Sequence, residues 1–388
     1  MKFDVAIIGG GASGLACAVR LVRKSPNIKI ALIDAGDRVG KKLASTGNGQ
    51  GNITNTRMSL DKYFSGNLNL VKNIALSSET ISLEKELFHC ILSADDYGRV
   101  YPSGRQASSL VDSILADLKF GNVTFFLNTL VTDIDKNFNV SLSSGEKLIA
   151  DYIVFAVGGK AQKQFKTDGS SYKLVQKFGH NVTPLYPSLV QIKTDTRYIK
   201  NLKGIRVNCS VKAISGNKEI AKSQGDVIFT DYGVSGNAIF SISAYIADKQ
   251  NVTLSLSFLN ERDEDIITDI QTKKKLGYAD TELLGGTLHN QLGRAIIKRC
   301  QSNDETEICH TAKNFTLNVV GTLGFDYAQV TKGGIDMGGI TDKLESKYQN
   351  NLFFAGEVLD VDGCCGGYNL HWAFASGCAV ADEILKRQ

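Results

Sequence analysis

A chain of 388 residues that is 43% hydrophobic and 22% charged can bury more than one core and carries no long polar tract, which excludes a disordered protein. The net charge is only +4, and apart from Lys273-Lys274-Lys275, read as a solvated helix face, the basic residues look scattered, so no nucleic-acid partner is expected. No apolar run reaches the roughly 18 to 20 residues of a membrane span, and eight cysteines without CxxC spacing point to a reducing cytoplasm and to no metal site.

In chain order, Phe3 to Ile8 reads as a buried strand, Leu15, Val19 and Val22 recur at helical spacing, and Ile28 to Ile33 forms a second strand. This is a βαβ unit. A hairpin follows, with Asn139 to Leu142 and Lys147 to Val157 flanking Ser143-Ser144-Gly145, and its second strand runs into Gly158-Gly159. From about Tyr186 to Phe258 short alternating segments dominate, clearest in Val252, Leu254, Leu256 and Phe258. Leu284, Leu288, Leu292 and Ile296 then repeat every four residues, which puts them on one helical face. Leu352 to Ala355 returns to a buried strand, and a long helix spans about Gly367 to Lys386. The expected fold class is α/β, with a Rossmann-type domain (residues 1–187 and 331–388) built from both chain ends. Between its two parts the reading places a β-rich insert (188–259 and 310–330) and a helical insert (260–309).

Gly9, Gly11 and Gly14 form GxGxxG directly after a strand and at a helix start, and Asp34 ends the next strand. The glycines suit a tight turn, close approach of a pyrophosphate and close helix–strand packing. Ala12, Ser13 and Gly14 present helix N-terminal amides to the phosphates, and Asp34 can accept from an adenosine ribose. A dinucleotide follows, and the other chain end selects FAD over NAD. There a strand ends in Gly356-Glu357, and Gly366-Gly367-Tyr368-Asn369 opens a helix whose N-terminus suits an anionic reduced flavin. No second strand-linked GxGxxG follows Gly14, so NADH or NADPH is expected only as a transient electron donor. Cys364 and Cys365 are read as two thiols in a loop.

Several longer stretches carry a family resemblance. They are Gly40-Lys41-Lys42-Leu43 leading into Thr46-Gly47-Asn48-Gly49, Asn52-Ile53-Thr54-Asn55, Gly98-Arg99-Val100-Tyr101-Pro102, Phe178-Gly179-His180, Phe229 to Gly236, Thr331-Lys332-Gly333-Gly334 and Ala355 to Gly363. In these the chain resembles the YhiN/BaiN-like flavoproteins, also called the aminoacetone oxidase family, over nearly its whole length. The resemblance implies a FAD domain from both chain ends with an inserted β-barrel-like domain and a small helical domain. It implies that the loop from Lys41 to Asn55, with Lys42, Thr46, Gly47 and Asn48, runs along the pyrophosphate and toward the flavin, that Val131 meets the adenine, and that Glu357, Asn369 and Leu370 meet the ribityl and flavin portions; Gly158, Gly356, Gly367 and Tyr368 are read as further cofactor-binding residues. The chain departs from the pattern at Gln50-Gly51, where relatives carry Arg-Cys, and at His371, where glutamine is expected.

The activity implied is hydride transfer between FAD and a small organic substrate, with reduction of conjugated double bonds in 3-oxo bile-acid or steroid-like enones preferred. Amine oxidation, RNA modification and redox sensing stand as alternatives. Tyr97, Tyr101, Tyr186 and His371 are candidate proton donors, and no catalytic residue is assigned.

Overall fold

The computed structural model describes residues 1–77 and 83–388, which form two compact units, Met1–Tyr186 with Val330–Gln388 and Pro187–Gln329. In the first, strands lie in the order Asn122–Phe126, Lys29–Ile33, Lys2–Ile8, Lys147–Phe155, Asn139–Leu142, Val131–Ile134. Leu352–Phe354 also pairs with Lys147–Phe155, in parallel. The leading strand is flanked on both sides by parallel neighbours, Ile7 standing opposite Leu32 and Val154. Both its edges are therefore paired, and consecutive Val5, Ala6 and Ile7 are fully buried, so both its faces are covered as well.

The strand Lys147–Phe155 changes character along its length. Lys147, Ile149 and Asp151 are exposed between buried Leu148 and Ala150, as the antiparallel hairpin with Asn139–Leu142 requires. Its last three residues, Ile153 to Phe155, enter between Lys2–Ile8 and Leu352–Phe354 and are buried on both faces. The hairpin turn lies at Ser143 to Gly145, with Gly145 at φ +88°.

Two helices lean on this sheet, Ala12–Lys24 and Tyr368–Leu385. Their contact depends on Gly377, where a Cβ would collide with the Ser13 carbonyl oxygen. The fold is the expected Rossmann-type domain assembled from both chain ends.

The second unit holds a closed six-stranded barrel in the order Ile192–Thr194, Gly233–Ser235, Lys218–Phe229, Arg206–Ser215, Val252–Ser257, Phe315–Thr322. Val211, Ala213, Leu254, Leu256 and Leu317 alternate inward and fill it. Helices Asp263–Lys275, Asn290–Arg299 and Glu305–Lys313 pack their apolar sides, including Ile266, Ile270, Ile296 and Ile308, into the same apolar cluster.

Two expectations change here. The single helical face through Leu284 and Ile296 is interrupted: Gly285 and Gly286 break the chain, and the helix begins only at Asn290, capped by His289. Leu284, Leu292 and Ile296 are still buried, so the apolar spacing reports a shared core rather than one helix. The run at Lys273 is also not simply solvated. Lys273 Nζ donates to Asp269 at 2.6 Å and to the Gly285 carbonyl at 3.0 Å, and Lys274 binds Glu305 at 2.7 Å, so these two cations tie the helix to its neighbours.

Candidate cofactor site

The end of the leading strand, the start of the first helix and the end of the second strand meet at Gly9 to Gly14. Gly9 turns the chain at φ +105°, its amide donating to the Ile33 carbonyl at 2.8 Å. A Cβ on Gly14 would overlap the Gly9 carbonyl oxygen, so the turn and the helix can be this close only with glycine there. Gly11 faces open space, with no atom within 4 Å of where its Cβ would be. The helix starts there without a side-chain cap, and the first-turn amides of Ala12, Ser13 and Gly14 have no acceptor among the described residues. Asp34 holds this corner: its carboxylate accepts from the Gly10 amide and from the Gly36 amide, both at 2.7 Å. The Asp34 carbonyl in turn accepts from Thr129 at 3.0 Å, two residues before half-buried Val131.

The other chain end arrives at the same corner. Ser13 Oγ donates to the Ala355 carbonyl at 3.2 Å. The next residue, Gly356, is held from both sides by the last helix: its amide donates to Ser376 Oγ at 2.9 Å, and its carbonyl accepts from Trp372 Nε1 at 3.1 Å. Glu357 then projects to a fixed position. One oxygen accepts from Lys42 Nζ at 3.1 Å and the other from the Thr331 amide at 2.8 Å. Thr331 is itself held, its hydroxyl oxygen accepting from Lys160 at 2.7 Å and Ala161 at 3.0 Å. A Cβ on Gly159 would stand 2.7 Å from Glu357 Oε1, which places Gly158-Gly159 against the same carboxylate.

The loop after Lys42 is tightly wound, with Gly47, Asn48, Gly49 and Gly51 all left-handed. The Gly49, Gln50 and Gly51 amides bond to carbonyls within the loop, whereas those of Gly47 and Asn48 have no acceptor among the described residues. Thr46 Oγ1 turns back to the Leu43 carbonyl at 2.6 Å, so its contribution to the site is structural.

At the far side Gly367, at φ +98°, opens the last helix, again without a side-chain cap. The first-turn amides of Tyr368, Asn369 and Leu370 have no acceptor among the described residues. Side chains of this turn position the loop: Asn369 bonds both ways with Gly363, at 2.9 and 2.7 Å, and Tyr368 Oη donates to the Arg57 carbonyl at 3.1 Å. Cys364 and Cys365 carry thiols rather than a disulfide.

The proton-donor candidates do not converge. His371 is 1% exposed, with Nε2 2.6 Å from the Ala75 carbonyl and Nδ1 2.9 Å from Thr54 Oγ1. A carbonyl only accepts, so Nε2 donates to Ala75, and Nδ1 is engaged with the Thr54 hydroxyl, which gives the ring a structural role. Tyr101 is buried beneath the Arg105 guanidinium, Tyr97 is 72% exposed on a hairpin, and Tyr186 is half-buried at the end of its unit.

Two residues escaped the sequence reading. Thr331 had a signal, since it opens the stretch Thr331 to Gly334. Tyr172 had none: its hydroxyl is buried, with no hydrogen-bond partner among the described residues, and burial first, then the charges of Glu357 and Asp360, push its phenol up.

Residues 3–383 match the family model described as HI0933-like protein Rossmann domain. The chain is 31% identical to a 3-dehydro-bile acid delta(4,6)-reductase of Clostridium scindens, over 99% of both chains. It is 28% identical to a ribosomal RNA dihydrouridine synthase of Escherichia coli, over 99% of this chain and 98% of that one. Among solved structures, a quinol–fumarate reductase superposes with TM-score 0.53 at 16% identity, over all of this chain and 71% of the other. The 3-ketosteroid delta1-dehydrogenase of Sterolibacterium denitrificans gives 0.50 at 12% identity over the full length of both.

Proposed function

The chain belongs to the HI0933-like family and is an FAD-dependent oxidoreductase, and on that premise we propose that it adds hydrogen across a carbon–carbon double bond conjugated to a carbonyl. The observation that carries this reading is the full-length likeness to a delta(4,6)-reductase of a 3-dehydro bile acid. The preferred substrate is a small 3-oxo, steroid-like enone, and NADH or NADPH is the proposed electron donor.

The donor set fits a flavin dinucleotide. Two uncapped helix N-termini and Lys42 suit the pyrophosphate and an anionic flavin ring, open space at Gly11 admits the phosphates, and the orphaned Tyr172 hydroxyl awaits a polar group. In this assignment Gly9 to Gly14 and Lys42 hold the pyrophosphate with the Gly47 and Asn48 amides. Asp34 takes the adenosine ribose, the Val131 backbone the adenine, and Gly158, Gly356 and Glu357 the middle of the cofactor. Amides of Tyr368, Asn369 and Leu370 face the flavin. Bound there, FAD supplies a carrier that accepts and delivers hydride. The protein's own work is to fix Glu357 between Lys42 and Thr331, to hold the two helix ends in place, and to polarise the substrate carbonyl.

The test is anaerobic turnover of the FAD-loaded protein with NADH or NADPH and a 3-oxo-Δ4 steroid, read by mass spectrometry. The expected product has gained two hydrogens. Reduced flavin that oxygen reoxidises but no enone does would sink the reading.

A second substrate is favoured by the relative in Escherichia coli named for dihydrouridine in ribosomal RNA. Uracil C5=C6 is conjugated to the C4 carbonyl, so its saturation is the same chemistry. Dihydrouridine formed in a ribosomal RNA transcript would select this substrate.

A further inference from the structure

Tyr172 carries a buried donor that the fold itself leaves unused. The residue opens the short helix Tyr172–Gln176, is 6% exposed, and packs its ring into the core of the nucleotide-binding unit. Phenylalanine would fill that space without leaving a buried hydroxyl unpaired, so the oxygen is a cost to the chain on its own. Its Oη has no hydrogen-bond partner among the described residues. Two carboxylates, Glu357 and Asp360, are near enough for their charges to act on it, yet neither bonds to it. Both Glu357 oxygens are already engaged, one with Lys42 and the other with the Thr331 amide. Burial first, and then the two charges, hold the proton on the phenol, so Tyr172 has a hydrogen to give.

The sheet orders the ligand groups within its reach. Ile33, Ile8, Phe155 and Phe354 stand level on four neighbouring parallel strands, so Asp34, Gly9, Gly158 and Glu357 succeed one another along the carboxyl edge. Ligands of open parallel sheets lie along that edge. With the adenosine ribose at Asp34 and the pyrophosphate at Gly9 to Gly14, the strands leading to Gly158 and Glu357 stand one and two spacings further on, about 5 and 10 Å. The portion of FAD that follows its pyrophosphate is the ribityl chain. Tyr172 lines a small cavity with Gly158, Gly159 and Thr167, on the same stretch of the edge. We propose that the Tyr172 hydroxyl donates to a hydroxyl of the ribityl chain. A ribityl hydroxyl can accept from Tyr172 and donate to Glu357 at the same time, whereas a phosphate oxygen only accepts and would face two carboxylates. The inference rests on the cofactor assignment above and is independent of the enone.

Titration of FAD into the full-length apoprotein, followed by the change in flavin fluorescence, tests it. Tyr172→Phe is expected to raise the dissociation constant about tenfold. The loss is expected to vanish with one of 2′-, 3′- and 4′-deoxy-FAD, the analogue that lacks the paired hydroxyl, and to persist with the other two. Without flavin, the variant is expected to unfold at a higher urea concentration than the unaltered chain, because the unpaired oxygen is gone. A tyrosine kept only for structure would behave in the opposite way, its loss lowering the urea midpoint and weakening every flavin alike. Unaltered FAD affinity in Tyr172→Phe, an equal loss with FAD and all three analogues, or a lower urea midpoint would each overturn the proposal. An unaltered chain that binds no FAD would sink the cofactor assignment and the proposal with it. None of these readouts involves an enone, so failure of the enone reading would leave them unchanged.

Discussion

Lys42 and Glu357 stand 315 positions apart in sequence and 3.1 Å apart in space, and each is mostly shielded from solvent. Removing one charge leaves the other poorly compensated and frees the Glu357 side chain to wander from Thr331. Lys42→Met is therefore expected to weaken FAD binding at least about tenfold, a loss of about 1.4 kcal/mol, with a smaller effect on unfolding. Flavin retained after dialysis measures it, and undiminished retention would remove Lys42 from the site. Glycine spacing and the acidic residue after the second strand were legible in the sequence because their geometry is local. The Lys42–Glu357–Thr331 linkage was not: the stretch Thr331 to Gly334 stood out, but nothing in it says that the Thr331 amide will hold the Glu357 carboxylate.

His180 is a separate case, 3% exposed between the Tyr348 and Phe354 rings. Ser346 Oγ accepts from the Tyr348 and Gln349 amides, so its hydrogen goes to His180 Nε2, and the ring is neutral. Burial depresses its pKa from 6.5 to about 4. As pH falls below 6.5 the unfolded chain takes a proton that the folded chain refuses, so stability declines until pH reaches about 4 and levels off below it. The loss over that window is on the order of 3 kcal/mol. Urea titrations at neutral and acid pH should show it, and His180→Gln should shrink the pH dependence. An unchanged slope would assign the acid sensitivity elsewhere.

At the level of elements, the last helix does two jobs with one face. Gly377 lets it lie against the first helix, and Trp372 and Ser376 hold Gly356. Gly377→Ala is expected to push the helices apart at a cost of about 2 kcal/mol, seen as a lower urea midpoint and a lower flavin content. A variant that kept both would mean the helices separate without strain. Helix and strand positions here were readable from periodicity, since the leading strand and the last helix are buried enough to demand apolar residues. Periodicity misled at Leu284 and Leu288, because a turn packed on the same core obeys the same apolar demand as a helix.

For the molecule as a whole, the Rossmann-type unit is discontinuous, with Val330–Gln388 supplying both a strand of its sheet and the helix that holds Gly356. A chain ended at residue 329 is expected to keep the glycine motif and bind no FAD. Flavin absorbance of the purified fragment checks this, and a yellow fragment would show that the first segment suffices.

The same discontinuity sets an order of events during synthesis. The ribosome makes the phosphate-binding turn early, yet the sheet around it lacks the strand that pairs with the end of Lys147–Phe155 until the final segment emerges. The barrel unit, one continuous stretch from Pro187 to Gln329, can fold while its host still waits. Cofactor capture is then a late step, and a nascent chain stalled before residue 352 would carry a finished insert and an unfinished nucleotide site.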